Sequence, residues 1–411
     1  MKYTRHLIRM IIIFMILGST GTVSAAILEP ANINSEAALV ADLNTGQVIA
    51  DKNGSERLPI ASISKLIVIY MVEQAIKGNE IKRTQLVNVS QDVATFSDNL
   101  MFANIPMSPT KSYTVQQLEE AALLPSSNAA AISLANLVAG SQENYYKKAD
   151  KLLNSWGIKD ANIISASGLR NGDLGIYNNP ELSESVENQL SAREVALLAK
   201  KILEDFPEIT NITSLKTAEF PDKDGNNQAI NNTDDLLDND QYKFEGLKTG
   251  STPNNGKNFV GLTHIDNEPV ITVVLNSKDN MNYETTFNDT VQILNEVTAN
   301  TSILPIANTV THKVDNAKAK NGEIKLKPVS DNYLFTETGD KLKLTSKINY
   351  QKKSAPLKKN EVVATRKIMT DNSNYNDFLE ETPIIKYATT KNIERANIFT
   401  TYYRKITELF K

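Results

Sequence analysis

The sequence predicts an α/β or α+β domain whose sheet joins its two ends, followed by a small all-β domain and a C-terminal helix. Strand-like runs flank a helix-rich middle in the first part. Beyond residue 304 the sequence changes to short alternating runs separated by turns. The last twenty-one residues place apolar side chains at three- and four-residue steps. We therefore expect three units, at residues 26–303, 304–388 and 391–411.

Residues 1–25 have the three-part pattern of a secretory signal peptide. Basic residues precede an apolar run at 10–17, and the small residues Val23-Ser24-Ala25 follow as a cleavage site. The apolar run is too short to span a bilayer comfortably. We expect an exported protein, and an uncleaved N-terminal anchor is the alternative.

Residues 26–303 contain the predicted strands and helices of the first domain. The turn Asp42-Leu43-Asn44-Thr45-Gly46 separates two apolar runs and predicts a hairpin. Apolar residues at helical spacing, with stop signals such as Gly78, predict helices. The predicted strands are 37–41, 47–50, 259–263 and 270–275, and the predicted helices are 62–77, 115–124, 127–138, 192–203 and 285–298.

The C-terminal hundred residues divide into a β-rich unit and an amphipathic helix. The β-rich unit is predicted from four alternating runs, at 324–327, 333–335, 341–344 and 362–365. Residues 391–411 place aromatic side chains on one helix face and a net charge of +3 on the other. Such a helix can lie on a membrane surface or dock on the protein itself, and the pattern alone leaves both open.

The composition excludes several classes of protein and site. The chain has 44 Lys and Arg against 48 Asp and Glu, a net charge of −4, which disfavours a dedicated nucleic-acid binder. Cysteine is absent, which excludes a thiol nucleophile, a thiolate metal site and any disulfide. Only three histidines are present, and His6 would leave with the signal peptide. We expect no metal, no cofactor and no nucleic-acid partner.

The chemistry is carried by three short motifs, the first of which is Ser62-Ile63-Ser64-Lys65. Serine is a weak nucleophile until a base takes its proton. Residues three apart on a helix share a face, so Lys65 lies one turn from Ser62. A lysine that is desolvated, or placed beside another cation, has a lowered pKa and can act as that base. Ser62 is therefore the predicted nucleophile and Lys65 its base.

The second and third motifs supply groups that would act on the substrate. In Ser126-Ser127-Asn128, the first serine can relay a proton and the asparagine can hold a substrate amide. Lys248-Thr249-Gly250-Ser251 presents a cation and a hydroxyl to a substrate carboxylate. The backbone N–H groups of Ser62 and Ser251 are candidates for an oxyanion hole. The candidate catalytic residues are Ser62, Lys65 and Ser126, and the candidate substrate-binding residues are Asn128, Lys248, Thr249 and Ser251.

Each motif alone is weak evidence, because the same patterns recur elsewhere. Ser108-Pro109-Thr110-Lys111 repeats the first pattern, and Ser97-Asp98-Asn99 and Ser330-Asp331-Asn332 repeat the second. Context separates them, since Ser62 leads an apolar helix while Ser108 lies between two prolines. Lys-Thr-Gly occurs once. The order of the three motifs along the chain, and their placement on the predicted elements, therefore favour a single site.

With these motifs, and with Leu58-Pro59-Ile60-Ala61 before Ser62 and Gly246-Leu247 before Lys248, the chain resembles serine-type D-alanyl-D-alanine carboxypeptidases, the low-molecular-mass penicillin-binding proteins. The resemblance implies a β-lactamase/transpeptidase-like domain with an antiparallel sheet flanked by helices. It implies removal of the terminal D-alanine from peptidoglycan stem peptides through an acyl-enzyme on Ser62, which β-lactams would also acylate. It further favours a membrane-surface role for residues 391–411, at the extracytoplasmic face of a bacterial cell membrane.

Other functions remain open from the residues alone. A class A serine β-lactamase needs a glutamate-activated water for deacylation. No glutamate between Asn128 and Lys248 lies in a Glu-x-x-Leu-Asn context. A non-catalytic wall-binding module is disfavoured because the motif side chains are intact. Transpeptidation would use the same residues as hydrolysis.

Overall fold

The computed structural model describes residues 26–252, 256–278, 283–314, 316–330, 332–351 and 354–409. The predicted signal peptide at 1–25 lies outside the described residues. The strands are β1 (Ala37–Asp42), β2 (Val48–Lys52), β3 (Arg57–Pro59), β4 (Leu86–Asn88), β5 (Ser112–Thr114), β6 (Gln189–Ser191), β7 (Thr217–Pro221), β8 (Asn227–Asn231), β9 (Leu247–Ser251), β10 (Lys257–Ile265), β11 (Glu268–Ser277), β12 (Thr301–Pro305), β13 (Val310–Lys313), β14 (Glu323–Pro328), β15 (Tyr333–Glu337), β16 (Asn349–Tyr350), β17 (Val362–Lys367) and β18 (Ile384–Thr389). The helices are α1 (Lys65–Lys77), α2 (Gln91–Ser97), α3 (Val115–Leu123), α4 (Asn128–Ala139), α5 (Gln142–Ser155), α6 (Ala192–Asp205), α7 (Thr210–Thr213), α8 (Glu284–Asn300) and α9 (Ile398–Leu409).

The first domain is organised around a five-stranded antiparallel sheet of order β2-β1-β11-β10-β9. The first two strands come from the start of the domain and the other three from near its end, so the predicted junction of the two ends is confirmed. Leu39 and Ala41 on β1 pack into one hydrophobic cluster, whereas Ala38 and Val40 pack into another. Because successive strand residues point to opposite faces, both faces of the sheet are covered.

The predicted helices at 115–124, 127–138, 192–203 and 285–298 are confirmed to within two residues at each end. Local capping explains where three of them begin. Thr114 with Gln117 and Ser191 with Glu194 form capping boxes at α3 and α6. Ser127 caps α4 by accepting a hydrogen bond from the Ala130 N–H.

The β-rich unit contains a five-stranded antiparallel sheet of order β13-β14-β18-β17-β16, while β12 and β15 pair separately. The predicted runs at 324–327, 333–335 and 362–365 are confirmed as strands. The run at 341–344 is not a strand, and that prediction was wrong: within the described residues its one ladder contact is a bridge from Leu344 to Thr370. Leu342 and Leu344 instead pack against the hydrophobic clusters without a partner strand. The alternating pattern at 341–344 therefore reflects which side chains are partly buried, and it does not indicate pairing with another strand.

The two units contact each other at the β1–β2 turn. The Gln47 side chain donates to the Phe335 carbonyl and accepts from the Phe335 N–H, at 2.9 and 2.8 Å. Arg193 on α6 forms a two-pronged pair with Asp377, at 2.9 and 2.6 Å, and also binds Asp51. The Asp377 side chain is 9% exposed, so this pair is shielded from solvent.

Replacing Arg193 with alanine should lower the free energy of unfolding by about 2 kcal/mol, because it leaves the Asp377 carboxylate without its charged donors. Urea unfolding followed by circular dichroism measures this loss. The matched control is Arg395→Ala, an exposed arginine of the β-rich unit, which should leave stability unchanged. Equal effects of the two substitutions would contradict a structural role for the Arg193–Asp377 pair.

Helix α9 begins at Ile398, later than the amphipathic pattern from residue 391 predicts. The preceding residues are held by isolated bridges, Ile393 to Leu357 and Arg395 to Ala317. Among the helices that the structure describes, none combines the length and the apolar character that crossing a bilayer needs.

Candidate active site

Ser62 lies in a tight 3-10 turn, Ala61–Ser64, that leads directly into α1. The predicted helix from residue 62 is thus α-helical only from Lys65 onward. Ala61 has a φ of +47°, a left-handed conformation that is strained for a residue with a side chain. The surrounding chain holds the turn in place: the Ile60 N–H donates to the Asn188 carbonyl at 3.1 Å.

Lys65 is fully buried at the first position of α1 and contacts three oxygens. Its Nζ lies 2.8 Å from Ser62 Oγ, 2.8 Å from Asn128 Oδ1 and 2.8 Å from the Ser167 carbonyl. Burial lowers the pKa of Lys65 well below its usual range, and the neighbouring Lys248 charge lowers this pKa further.

These contacts suit a neutral Lys65 amine. A neutral amine has two N–H donors and one lone pair. The donors can serve Asn128 Oδ1 and the Ser167 carbonyl, which have no hydrogen to give. The lone pair then faces the Ser62 hydroxyl and can accept its proton, which is the arrangement that a general base requires.

Ser126 and Asn128 stand at the entrance to α4, on the other side of Lys65. Ser126 has a φ of +67°, and its buried hydroxyl oxygen finds no hydrogen-bond partner within the described part of the chain. A buried hydroxyl without a partner costs free energy. The arrangement therefore leaves Ser126 ready to bond with a substrate atom or a transferred proton.

The third motif occupies β9, which pairs with β10 in the central sheet. Lys248 and Thr249 are 1% and 2% exposed, and the Thr249 hydroxyl lies 2.6 Å from the Thr233 hydroxyl. Burial lowers the pKa of Lys248 to about 7, against an opposing effect of Asp234. Ser251 ends the strand at the surface, where its Oγ accepts a 2.7 Å hydrogen bond from Lys257. Lys65 Nζ thus joins Ser62 to Asn128, and Thr233 links Thr249 on β9 to the carbonyl of Leu124, two residues before Ser126.

Family comparisons agree with this geometry. The sequence profile of the D-alanyl-D-alanine carboxypeptidases matches residues 23–279, more than half of the chain. The chain belongs to this family. Residues 300–395 match a second profile, the C-terminal domain of penicillin-binding protein 5. The family match favours a carboxypeptidase over the β-lactamase and the wall-binding alternatives.

Individual relatives cover different lengths of the chain. D-alanyl-D-alanine carboxypeptidase DacC of Escherichia coli is 27% identical over 90% of this chain and 87% of its own length. The carboxypeptidase DacA of the same organism is 29% identical, but the match covers 56% of this chain and about half, 52%, of the relative. Among solved structures, a peptidoglycan synthesis regulatory factor (PBP3) from Streptococcus pneumoniae superposes with a TM-score of 0.80 at 28% identity, covering 89% of this chain and all of that one. Penicillin-binding protein D2 of Listeria monocytogenes, solved with ampicillin bound, has a TM-score of 0.53 at 25% identity, covering 65% of this chain and 98% of that one.

Several residues of this carboxypeptidase site have no counterpart in the sequence-based site prediction. Ser167 offers its backbone carbonyl to Lys65, and Asn188 supports the nucleophile turn through a 2.9 Å hydrogen bond to Ser64 Oγ. Thr233 contacts Thr249, and Tyr283 lies within hydrogen-bonding reach of the Thr249 and Ser251 side chains. These residues act through the backbone or across long sequence separations, so no short motif marks them.

A cavity of about 210 Å³ adjoins Ser251 at the end of β9, and the loop residues Phe102, Gly168 and Arg170 also line it. Arg170 is paired there with Asp173 at 2.8 Å. Among the described residues, no cluster of His, Asp and Glu has the arrangement of a metal site.

Replacing Gly168 with alanine should disrupt the nucleophile turn. A Cβ at this position would lie 1.9 Å from the Ala61 carbonyl oxygen, and the φ of +85° adds backbone strain. Since a 1 Å displacement of a reacting group can cost about 100-fold in rate, we expect at least that loss in the rate at which a β-lactam acylates the protein.

The matched control for this substitution is Gly157→Ala. Gly157 has nearly the same φ, +86°, but a Cβ there meets nothing within 4 Å. It therefore carries the same backbone strain without the clash, and it should acylate at the parental rate. Equal slowing of both variants would mean that backbone strain at the substituted glycine, and not a clash with Ala61, slows acylation.

Proposed function

We propose that the protein removes the terminal D-alanine from peptidoglycan stem peptides through an acyl-enzyme on Ser62. The observation that carries this proposal is the buried Lys65 Nζ, 2.8 Å from Ser62 Oγ and unable to keep its usual basicity. The family assignment supplies the reaction, and this contact supports Ser62 as its nucleophile and Lys65 as its base.

The first half of the reaction forms the acyl-enzyme. Lys65 takes the Ser62 hydroxyl proton as Oγ attacks the carbonyl of the penultimate D-alanine. The backbone N–H groups of Ser62 and Ser251 stabilise the oxyanion. The departing D-alanine receives a proton by way of Ser126.

Substrate groups on either side of the scissile bond are held by the remaining motif residues. Asn128 positions the peptide chain, while Lys248 and Thr249 bind the terminal carboxylate. Release of D-alanine vacates this carboxylate position, and water then hydrolyses the ester on Ser62. Hydrolysis restores the serine hydroxyl and the neutral Lys65 for another cycle.

Ampicillin provides a direct test of the nucleophile. Intact-mass spectrometry of the parent incubated with ampicillin should give a single adduct that peptide mapping places on Ser62. Ser62→Ala should give none. The control is Ser108→Ala in the second Ser-x-x-Lys sequence, which should be modified like the parent. An adduct on any other residue would overturn the assignment.

We also propose that α9 lies on a membrane surface at the extracytoplasmic face of the cell. Ile398, Phe399, Tyr402, Tyr403 and Ile406 expose between 53% and 83% of their surface. Arg404, on the opposite side of the helix, donates to the Ala317 and Ala319 carbonyls, each at 2.8 Å. This anchor keeps the aromatic face turned away from the β-rich unit, where it can enter a lipid headgroup layer.

Vesicle sedimentation tests this surface. The protein should pellet with anionic phosphatidylglycerol vesicles, and Phe399→Glu with Tyr403→Glu should abolish pelleting because charges oppose burial of that face. The control Met369→Glu changes an apolar residue of the β-rich unit that is 45% exposed and should pellet normally. Pelleting of the double variant would contradict the proposed face.

A further inference from the structure

A buried carboxylate, Asp234, stands behind the third motif without an assigned role. It is 4% exposed and lies in the turn that follows β8. Its Oδ1 accepts a 3.0 Å hydrogen bond from the Leu236 N–H, and its Oδ2 is buried without a hydrogen-bond partner among the described residues. Since an unsatisfied buried carboxylate is expensive, this oxygen requires a compensating charge.

The adjoining residue fixes this turn against both the second and the third motif. The Thr233 N–H and hydroxyl both contact the Leu124 carbonyl, at 3.2 and 3.3 Å, two residues before Ser126. The Thr233 hydroxyl also meets Thr249 Oγ1 at 2.6 Å. Asp234 is therefore held beside the β9 residues that face the substrate carboxylate.

Lys248 is the cation that can supply this compensating positive charge. It is 1% exposed, and among the described residues its Nζ has one long contact, 3.5 Å from Thr249 Oγ1. Among the described carboxylates, Asp234 is the one that raises the Lys248 pKa, while Lys248 in turn lowers that of Lys65, and the exposed Asp235 raises that of Asp234. Asp234, Lys248 and Lys65 are thus coupled electrostatically in that order.

We propose that Asp234 is a positioning residue that favours the protonated form of Lys248 and so raises the affinity for the substrate's terminal carboxylate at neutral pH and above. This inference rests on the proposed function, because it takes that carboxylate as the ligand of Lys248. It adds a residue outside the three motifs whose effect passes through Lys248.

The pKa values of Asp234 and Lys248 set the direction of the pH dependence. Burial raises the pKa of Asp234 to about 7 and lowers that of Lys248 to about 7. Below pH 6 Asp234 is protonated, so an uncharged replacement changes little. Above pH 7 Asp234 is ionised and favours the proton on Lys248, so an uncharged replacement lowers the fraction of Lys248 that carries its charge.

The test measures D-alanine release from a D-Ala-D-Ala pentapeptide by the full chain between pH 5.5 and 8.5. Losing an opposite charge lowers a lysine pKa by about one unit or more, so the KM of Asp234→Asn should be about tenfold above parent at pH 8.5 and within about twofold at pH 5.5. The kcat ratio should stay near one. A purely structural defect would raise the KM at pH 5.5 as much as at pH 8.5.

Two further variants make the outcome decisive. Asp234→Ser removes the charge but keeps a side chain that can accept from the Leu236 N–H, so it should reproduce the result if the asparagine variant folds poorly. Asp235→Asn removes the adjacent exposed charge, which solvent and salt screen, and its KM should stay within about twofold of the parent at every pH. A KM ratio that is flat with pH would overturn the inference. Absence of D-alanine release by the parent would instead count against the proposed function.

Discussion

Replacing Lys65 with methionine should slow acylation of Ser62 by about 10³-fold, because a positioned general base contributes 10² to 10⁴ in rate. Methionine fills a similar volume but cannot accept the serine proton. Lys65→Arg should fail as well, since a guanidinium remains protonated at any working pH. Stopped-flow acylation by a chromogenic β-lactam measures both effects.

The control for these variants is Lys111→Met, in the second Ser-x-x-Lys sequence, which lies exposed in a loop and should acylate normally. In the parent the acylation rate should fall as acid protonates Lys65. Because the pKa of Lys65 is lowered, this fall should occur at a pH far below the usual pKa of lysine. Acylation by Lys65→Met within tenfold of the parent would rule out Lys65 as the base.

Replacing Arg83 with alanine should lower the free energy of unfolding by about 3 kcal/mol at neutral pH. Arg83 donates to Glu73 on α1 at 2.7 Å and to Glu119 on α3 at 2.9 Å, and these carboxylates are 1% and 0% exposed. Removing the shared cation leaves two buried carboxyl groups without their charged donor, and breaking a buried ion pair typically costs about 3–5 kcal/mol. We expect the low end because the Arg83 side chain keeps 28% exposure.

The loss should depend on pH in a defined direction. Burial and the Glu73 charge raise the pKa of Glu119 well above its usual range. The unfolded chain therefore releases this proton at lower pH than the folded chain, and stability falls as pH rises above the unfolded pKa of glutamate. Denaturation at pH 5 and pH 8 should give a smaller loss for Arg83→Ala at pH 5.

A surface pair provides the control for this experiment. Lys147 and Glu143 are 70% and 78% exposed, and Lys147→Ala should leave stability unchanged at both pH values. An Arg83→Ala variant as stable as the parent at pH 8 would show that solvent, and not Arg83, satisfies the two carboxylates.

The elements that the sequence predicted well are those with local signals. The capping residues Thr114 and Ser191 begin helices where the pattern places them, and the apolar runs of β1, β10 and β11 form the centre of the sheet. The first motif also predicted the contact between Lys65 and Ser62, because residues three apart lie on one helical turn.

The remaining features depend on packing across the chain. The 3-10 turn at Ser62 is imposed by contacts with Asn188 and Gly168, more than 100 residues away. Asp234 gains its role from burial beside Lys248, and an isolated aspartate in a polar loop gives no sign of this. Residues 341–344 alternate like a strand, but among the described residues they form one isolated bridge and no ladder.

Release of D-alanine is the most direct test of the central assignment. Residues 27–411 should release D-alanine from a peptidoglycan pentapeptide that ends in D-Ala-D-Ala, whereas Ser62→Ala should release none and Ser108→Ala should match the parent. Release by Ser62→Ala at the parental rate would contradict the acyl-enzyme on Ser62. Lack of release by the parent would contradict the carboxypeptidase function itself.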